Sequence, residues 1–190
     1  MEVSTIVVLV VLSVVSVYII LIYNNLVKLK HNASKAWSNI AVLLKQRHDE
    51  LPKLVETCRQ YMGYEKAALE AIIKARSAVA TAQQDSNMKA LGAAETQLRL
   101  GLGNLFALAE SYPELKANES FRHLQTRITG LEHDIADRRE FYNDSTNINN
   151  IRIEQFPDIL VAKLFGFYAF DLLEFSESDK ADVELKALFQ

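Results

Sequence analysis

Hydrophobic and polar positions fall into two regimes along this chain of 190 residues. Residues 3–22 (VSTIVVLVVLSVVSVYIILI) hold no charge, no Gly and no Pro. At 1.5 Å per residue, a helix of that length spans about 30 Å, the thickness of a bilayer's hydrocarbon core. Val and Ile are indifferent helix formers in water. In lipid, every backbone amide must be paired within the segment, and a helix does this for a single pass. The rival reading is a cleaved signal peptide, which wants a basic start, an apolar run of about 7–15 residues and an A-x-A-like exit. Here only Met1 and Glu2 precede the run, and Tyr23, Asn24 and Asn25 follow it. The pattern predicts a membrane anchor with Val3, Ile6, Leu9, Leu12, Val15, Tyr18 and Ile22 spaced along it.

From residue 26 the apolar positions recur at steps of three and four. Leu26, Leu29, Ala33, Ala36, Ile40 and Leu43 predict an amphipathic helix running on from the anchor to about Gln46. The stretch His48-Asp49-Glu50-Leu51-Pro52 reads as a break, with Asp49 as N-cap and Pro52 in the first turn of a second helix. That helix keeps the beat from Leu51 to Val79, with Gly63 as a tolerated interruption, before the polar turn of residues 83–87. A third helix runs from Met88 to Tyr112 and stops at Pro113. A fourth opens at Asn118 as N-cap and carries Phe121, Leu124, Ile128, Leu131, Ile135 and Tyr142. Amphipathic helices joined by short turns pack up-down-up-down at crossings near 20°. The expected fold is all-α: an N-terminal transmembrane helix continuing into an elongated antiparallel four-helix bundle, with a short C-terminal helical and aromatic segment. The expected boundaries are 1–23, 24–156 and 157–190.

Six of the nine Phe lie in the last segment, at 156, 165, 167, 170, 175 and 189, alongside Tyr168. Aromatic area of this kind left in water is an association surface, so Phe165, Phe167, Tyr168, Phe170, Phe175 and Phe189 are candidate contacts. A short helix is expected over 159–165, ended by Gly166, and a helical turn or two over 182–189. The segment can fold back on its own chain or pack on a neighbouring subunit.

Composition changes this picture little, but charge adds direction. Six Gly and three Pro suit long elements, and a net charge of −3 excludes a nucleic-acid binder's basic face. Residues 23–53 hold six Lys/Arg against two acids, a net +4, whereas residues 166–190 hold six acids against two Lys, a net −4. Basic residues directly after the anchor, and none before it, place the N-terminus outside and the bundle in the cytoplasm. Lys28, Lys30 and Lys35 are candidates for anionic headgroups, at about 1 kcal/mol for each that lies near the surface, or ordinary residues of a solvated face. A single cysteine, Cys58, excludes an intrachain disulfide.

The residues that carry chemistry are sparse. A di-metal carboxylate centre in a bundle needs Glu-x-x-His, but Lys28, Lys45, Ser120 and Gly130 stand three residues before the four His. Glu119 with His123, and His133 with Asp137, read as surface pairs. There is no zinc-ligand spacing, Gly-rich phosphate loop or G-x-S-x-G, so neither catalytic residues nor a cofactor is expected. Glu65, Arg76, Glu95, Arg139 and Asn143 interrupt or border the apolar stripes. They either bridge helices at the edge of the core or form a polar layer that fixes register or docks a partner.

Several blocks together resemble the LemA family of bacterial membrane proteins. They are Tyr23-Asn24-Asn25-Leu26-Val27-Lys28-Leu29-Lys30, Ala36-Trp37-Ser38-Asn39-Ile40, Leu44-Lys45-Gln46-Arg47 and Leu51-Pro52-Lys53-Leu54-Val55-Glu56-Thr57. Glu65, Ala75-Arg76, Ser111-Tyr112-Pro113-Glu114-Leu115-Lys116-Ala117-Asn118, Arg138-Arg139-Glu140-Phe141-Tyr142-Asn143, Phe156-Pro157 and Ala162-Lys163-Leu164-Phe165-Gly166-Phe167 continue the match in order. The resemblance implies a membrane helix followed by an antiparallel bundle, and supplies no agreed biochemical activity. It does imply loose ties to membrane invagination, through a magnetosome-associated relative, and to membrane protein quality control. The chain departs from the pattern at Asn149-Asn150, where a second Tyr-Asn is usual, at Asp158-Ile159, and in its aromatic and acidic ending.

Three functions follow from these features. One is a non-enzymatic scaffold of the bacterial inner membrane that forms homo-oligomers and organises or remodels the bilayer. The second is a tethered adaptor for a membrane protease or other envelope partner, working through the acidic tail. The third is an unrecognised hydrolase.

Overall fold

A computed structural model describes residues 3–174. Phe175, Phe189 and the expected turn over 182–189 lie outside the described residues. All described elements are helices: α1 (Val3–Arg59), α2 (Lys66–Gln84), α3 (Met88–Ala109), α4 (Pro113–Ala117), α5 (Glu119–Glu154) and α6 (Asp158–Phe165). The all-α class, with a long apolar N-terminal helix and packed helices after it, is therefore the observed one. The chain divides into two units, Met1–Asn39 with Glu140–Leu172, and Ile40–Arg139 with Leu173–Gln190.

In the first unit, the leading part of α1 changes character at Ile22. Residues 3–21 are exposed throughout, with Val10 and Ile20 each 56% accessible, whereas Ile22 and Leu26 are buried. Two of the hydroxyls in the apolar run donate to the preceding turn, Ser13 to the Leu9 carbonyl and Ser16 to the Leu12 carbonyl, both at 2.8 Å. Such back-bonding pairs these two donors within the helix itself. Ile22 and Leu26 meet Ile153 of α5 and Val161 and Ala162 of α6, with Phe167 packed against the group. Gly166 ends α6 at φ +71°, a left-handed conformation that costs a residue with a Cβ about 1–2 kcal/mol. The Phe167 amide then closes the helix on the Ala162 carbonyl at 2.9 Å.

The second unit buries Leu44, Leu51, Leu54, Cys58, Leu69, Ile72, Leu91, Leu98, Leu102, Phe121 and Ile128. α2 and α3 pack along one another across the turn at 85–87. Asn87 caps α3 by accepting from the Ala90 amide at 2.9 Å, and Asn118 caps α5 by accepting from the Phe121 amide at 3.0 Å. Asn118 also donates to the Tyr61 hydroxyl at 3.1 Å.

The helix boundaries differ from the sequence reading in one instructive place. The expected break near Gln46 is absent, and α1 runs through Pro52 to Arg59. A proline inside a helix deprives the carbonyl four residues back of its N–H donor. Here that carbonyl belongs to His48, and the Arg76 Nε of α2 donates to it at 3.0 Å. Tertiary contact thus supplies the bond that Pro52 removes. The break falls instead around Gly63, where the Tyr61 and Met62 amides both turn onto the Cys58 carbonyl. At the far end of α3, the expected single stop at Pro113 becomes a stop at Ala109, with Pro113 opening the separate turn of α4.

We predict that Arg76→Met destabilises the detergent-solubilised protein by about 1–3 kcal/mol in urea unfolding. Pro52→Ala returns an N–H to His48, so Arg76→Met costs less in that background. An equal cost in both backgrounds would contradict the pairing.

Candidate functional site

Two places carry the side chains that sequence reasoning singled out. The first lies in the first unit, where α1 ends its apolar run. Tyr23 meets Phe165 and Phe167 edge-on, with ring centroids 4.9 and 5.8 Å apart. The extended segment after Gly166 runs back along the helices. The Tyr168 ring stands 6.0 Å from Lys30 Nζ and packs against Phe170. Asn150 holds the backbone of Phe170 in both directions, donating to its carbonyl at 2.8 Å and accepting from its amide at 2.9 Å. Its side chain gives an isolated extended residue the two bonds that a neighbouring strand would otherwise provide. The Tyr142 hydroxyl donates to the Asp171 carbonyl at 2.8 Å, and Trp37 packs on the Tyr142 ring. Burial pushes the Tyr142 phenol above its ordinary pKa. Asp158, buried at the start of α6, is ion-paired with Arg152.

Of the candidate contacts in this segment, Phe167 and Phe170 are half-buried on their own chain, whereas Phe165 and Tyr168 are 52% and 61% exposed. The candidate anchor residues Val3, Ile6, Leu9, Leu12, Val15 and Tyr18 are exposed, and Ile22 is buried. Lys28, Lys30 and Lys35 are exposed. Counted along α1 from Ile22 they stand about 9, 12 and 20 Å away, against a headgroup layer roughly 5–8 Å deep. If residues 3–22 span a bilayer, Lys28 and Lys30 are the two of these within side-chain reach of its headgroups.

The second place is a buried charge layer in the second unit. Arg47, 1% exposed, donates from Nη2 to Glu95 at 2.5 Å and from Nη1 to Glu132 at 2.6 Å. Burial works against the Arg47 charge, but the paired carboxylates of Glu95 and Glu132 outweigh it and raise the Arg47 pKa. Burial pushes the Glu95 carboxyl above its ordinary range, with Arg47 pulling against that shift. Sequence reasoning named Glu95 and missed Arg47 and Glu132. The signal was present: Ile40, Leu44, Arg47, Leu51 and Leu54 keep one beat, and Arg47 occupies a core position on it.

The remaining polar-layer candidates sit at the edge of the core. Glu65 accepts from the Tyr112 hydroxyl at 3.2 Å, Arg76 serves His48, and Arg139 and Asn143 are half-buried. Among the described residues, no group of three or more His, Cys, Asp and Glu side chains is placed to hold a metal ion. Cys58 is fully buried, and burial pushes its thiol up to about 12.

These features define an all-helical protein with, among the described residues, one candidate membrane span at its N-terminal end. The LemA family profile matches residues 36–186, and the chain belongs to the LemA family. It is similar to the magnetosome proteins MamQ 1 and MamQ 2 of Paramagnetospirillum magneticum, at 25% identity over 96% of this chain and 77% of either relative. It is also similar to protein LemA of Metamycoplasma hominis, at 26% identity over 87% of this chain and 74% of that one.

Removing the cation from the charge layer strands two carboxylates, so Arg47→Met is expected to cost about 3–5 kcal/mol. Without Arg47, burial and the Glu132 charge hold Glu95 above its unfolded pKa of about 4.3. A raised carboxyl contributes stability below that value and loses it as pH rises. The variant should therefore gain stability relative to wild type from pH 8 to pH 5.5, and adding Glu95→Gln should recover much of the loss. A pH-independent deficit in urea unfolding would contradict this.

Proposed function

We propose that this chain is a non-enzymatic, single-pass scaffold of the bacterial inner membrane. Its N-terminus lies outside, its later helices lie in the cytoplasm, and copies associate to organise or remodel the bilayer. One observation carries the reading: residues 3–21 are apolar and exposed on every side, while the same helix is buried along one face from Ile22 onward. A helix that no described part of its own chain covers over such a length suits lipid. Association is supported by α5, where Phe141, Ile148 and Ile151 are 54%, 54% and 47% exposed and recur at spacings of seven and three. Such a stripe, in a helix otherwise rich in charge, suits a second helix. Similarity to proteins named for the magnetosome supports an organising role. The acidic composition of residues 166–190 favours a second reading, a tethered adaptor for a membrane protease or other envelope partner.

Size measurement in nanodiscs separates the two readings. The scaffold reading expects more than one copy per particle, and Phe141→Ser with Ile148→Ser should reduce this to a single copy without loss of helical signal. A uniform monomer in the unaltered protein would contradict the scaffold and favour the adaptor.

Topology needs its own reporter, because a buried thiol with so high a pKa reacts poorly on either side of the membrane. Tyr64 is 95% exposed, and Tyr64→Cys supplies an accessible thiol. An impermeant maleimide should label it only after cells are lysed, while Cys58 stays silent throughout. Labelling of Tyr64→Cys in intact cells would reverse the assigned topology.

A further inference from the structure

α6 has two faces. Val161 and Ala162 are buried against Ile22, Leu26 and Ile153. Leu160 and Leu164, one turn apart, are 60% and 76% exposed. Phe156, just before the helix, is 81% exposed. The acidic side chain of α6, Asp158, is buried and paired with Arg152, which leaves Lys163 as its exposed charge. A short helix thus turns two leucines outward beside a lysine.

The position of this patch identifies what covers it. α6 is held on α1 at Ile22, the last residue of the apolar run, and at Leu26, one turn further. The rings of Phe165 and Phe167 close on Tyr23 between them. The patch is therefore fixed within about one helical turn, roughly 5 Å, of the level where α1 leaves the hydrocarbon. That is the depth of the headgroup layer, where aromatic rings collect and lysine reaches for phosphate. A second copy seated on Leu160 and Leu164 would have to displace lipid already lying against the anchor.

We propose that α6 is an interfacial foot. It lies in the headgroup–acyl boundary beside the anchor, with Leu160, Leu164 and Phe156 entering lipid and Lys163 directed to anionic headgroups. The chain then grips one leaflet at two points, and α6 fixes which face of α1 is turned to protein and which to lipid. This inference rests on reading residues 3–22 as a membrane span.

The test uses the full chain in vesicles of phosphatidylcholine and phosphatidylglycerol. An environment-sensitive fluorophore is placed singly at Leu160→Cys, Leu164→Cys, Val15→Cys or Glu140→Cys, with the buried Cys58 left unlabelled. Lipids spin-labelled near the carbonyl should quench the labels at 160 and 164 and shift their emission to the blue. The label at 140 should keep its aqueous emission, and lipids spin-labelled deep in the chain should quench the label at 15. Labels at 160 and 164 that behave like 140, while 15 is quenched, would overturn the foot and leave the span intact. Shielding of 160 and 164 from both lipid and aqueous quenchers would overturn it in favour of a second copy. A label at 15 that behaves like 140 would remove the span and the foot together.

Discussion

Water will not accept the surface that residues 3–21 present, and the rest of the account follows from that constraint. Burying one Val, Leu or Ile side chain is worth about 1.5–3 kcal/mol, and fifteen large apolar side chains in this stretch stand exposed. Their combined transfer is worth tens of kcal/mol, on the same footing. The net stability of a whole folded domain is about 5–15 kcal/mol. On the proposed reading, where the chain resides is therefore decided by this stretch.

Below the apolar run, polar groups solve backbone and charge problems that the helices alone leave open. Arg76 reaches from α2 to the His48 carbonyl, which Pro52 leaves without a donor. Asn150 reaches from α5 to the extended backbone at Phe170. Arg47 meets two carboxylates from α3 and α5 in a site where an unpaired charge would be costly. Each of these bonds joins elements distant in sequence, and each is directional where leucine packing is not.

Elements whose causes are local were legible in the sequence. The charge-free run, the cap at Asn118 and the stop at Gly166 each depend on residues within one turn of themselves, and each stands where the pattern placed it. The path of α1 through Pro52 was not legible, because the donor that serves the His48 carbonyl lies twenty-eight residues from it, at Arg76. Pro52 after Asp49 has the form of a helix start, and only the fold shows that it is an interior position. Arg47 was hidden differently: it sits on the apolar beat, but a charged side chain is ordinarily read as a break in a stripe rather than as a member of it. The aromatic segment after Gly166 left two arrangements open, and from Phe167 to Asp171 Asn150 and Tyr142 hold it on its own chain.

The central claim is that residues 3–22 are held in lipid and not at a protein surface. Washing vesicles that carry the full chain with alkaline carbonate tests it most directly, because the wash strips proteins bound by charge or by contact with other proteins. A chain held in lipid stays with the sedimented membrane. Its release, intact, into the supernatant would contradict the account.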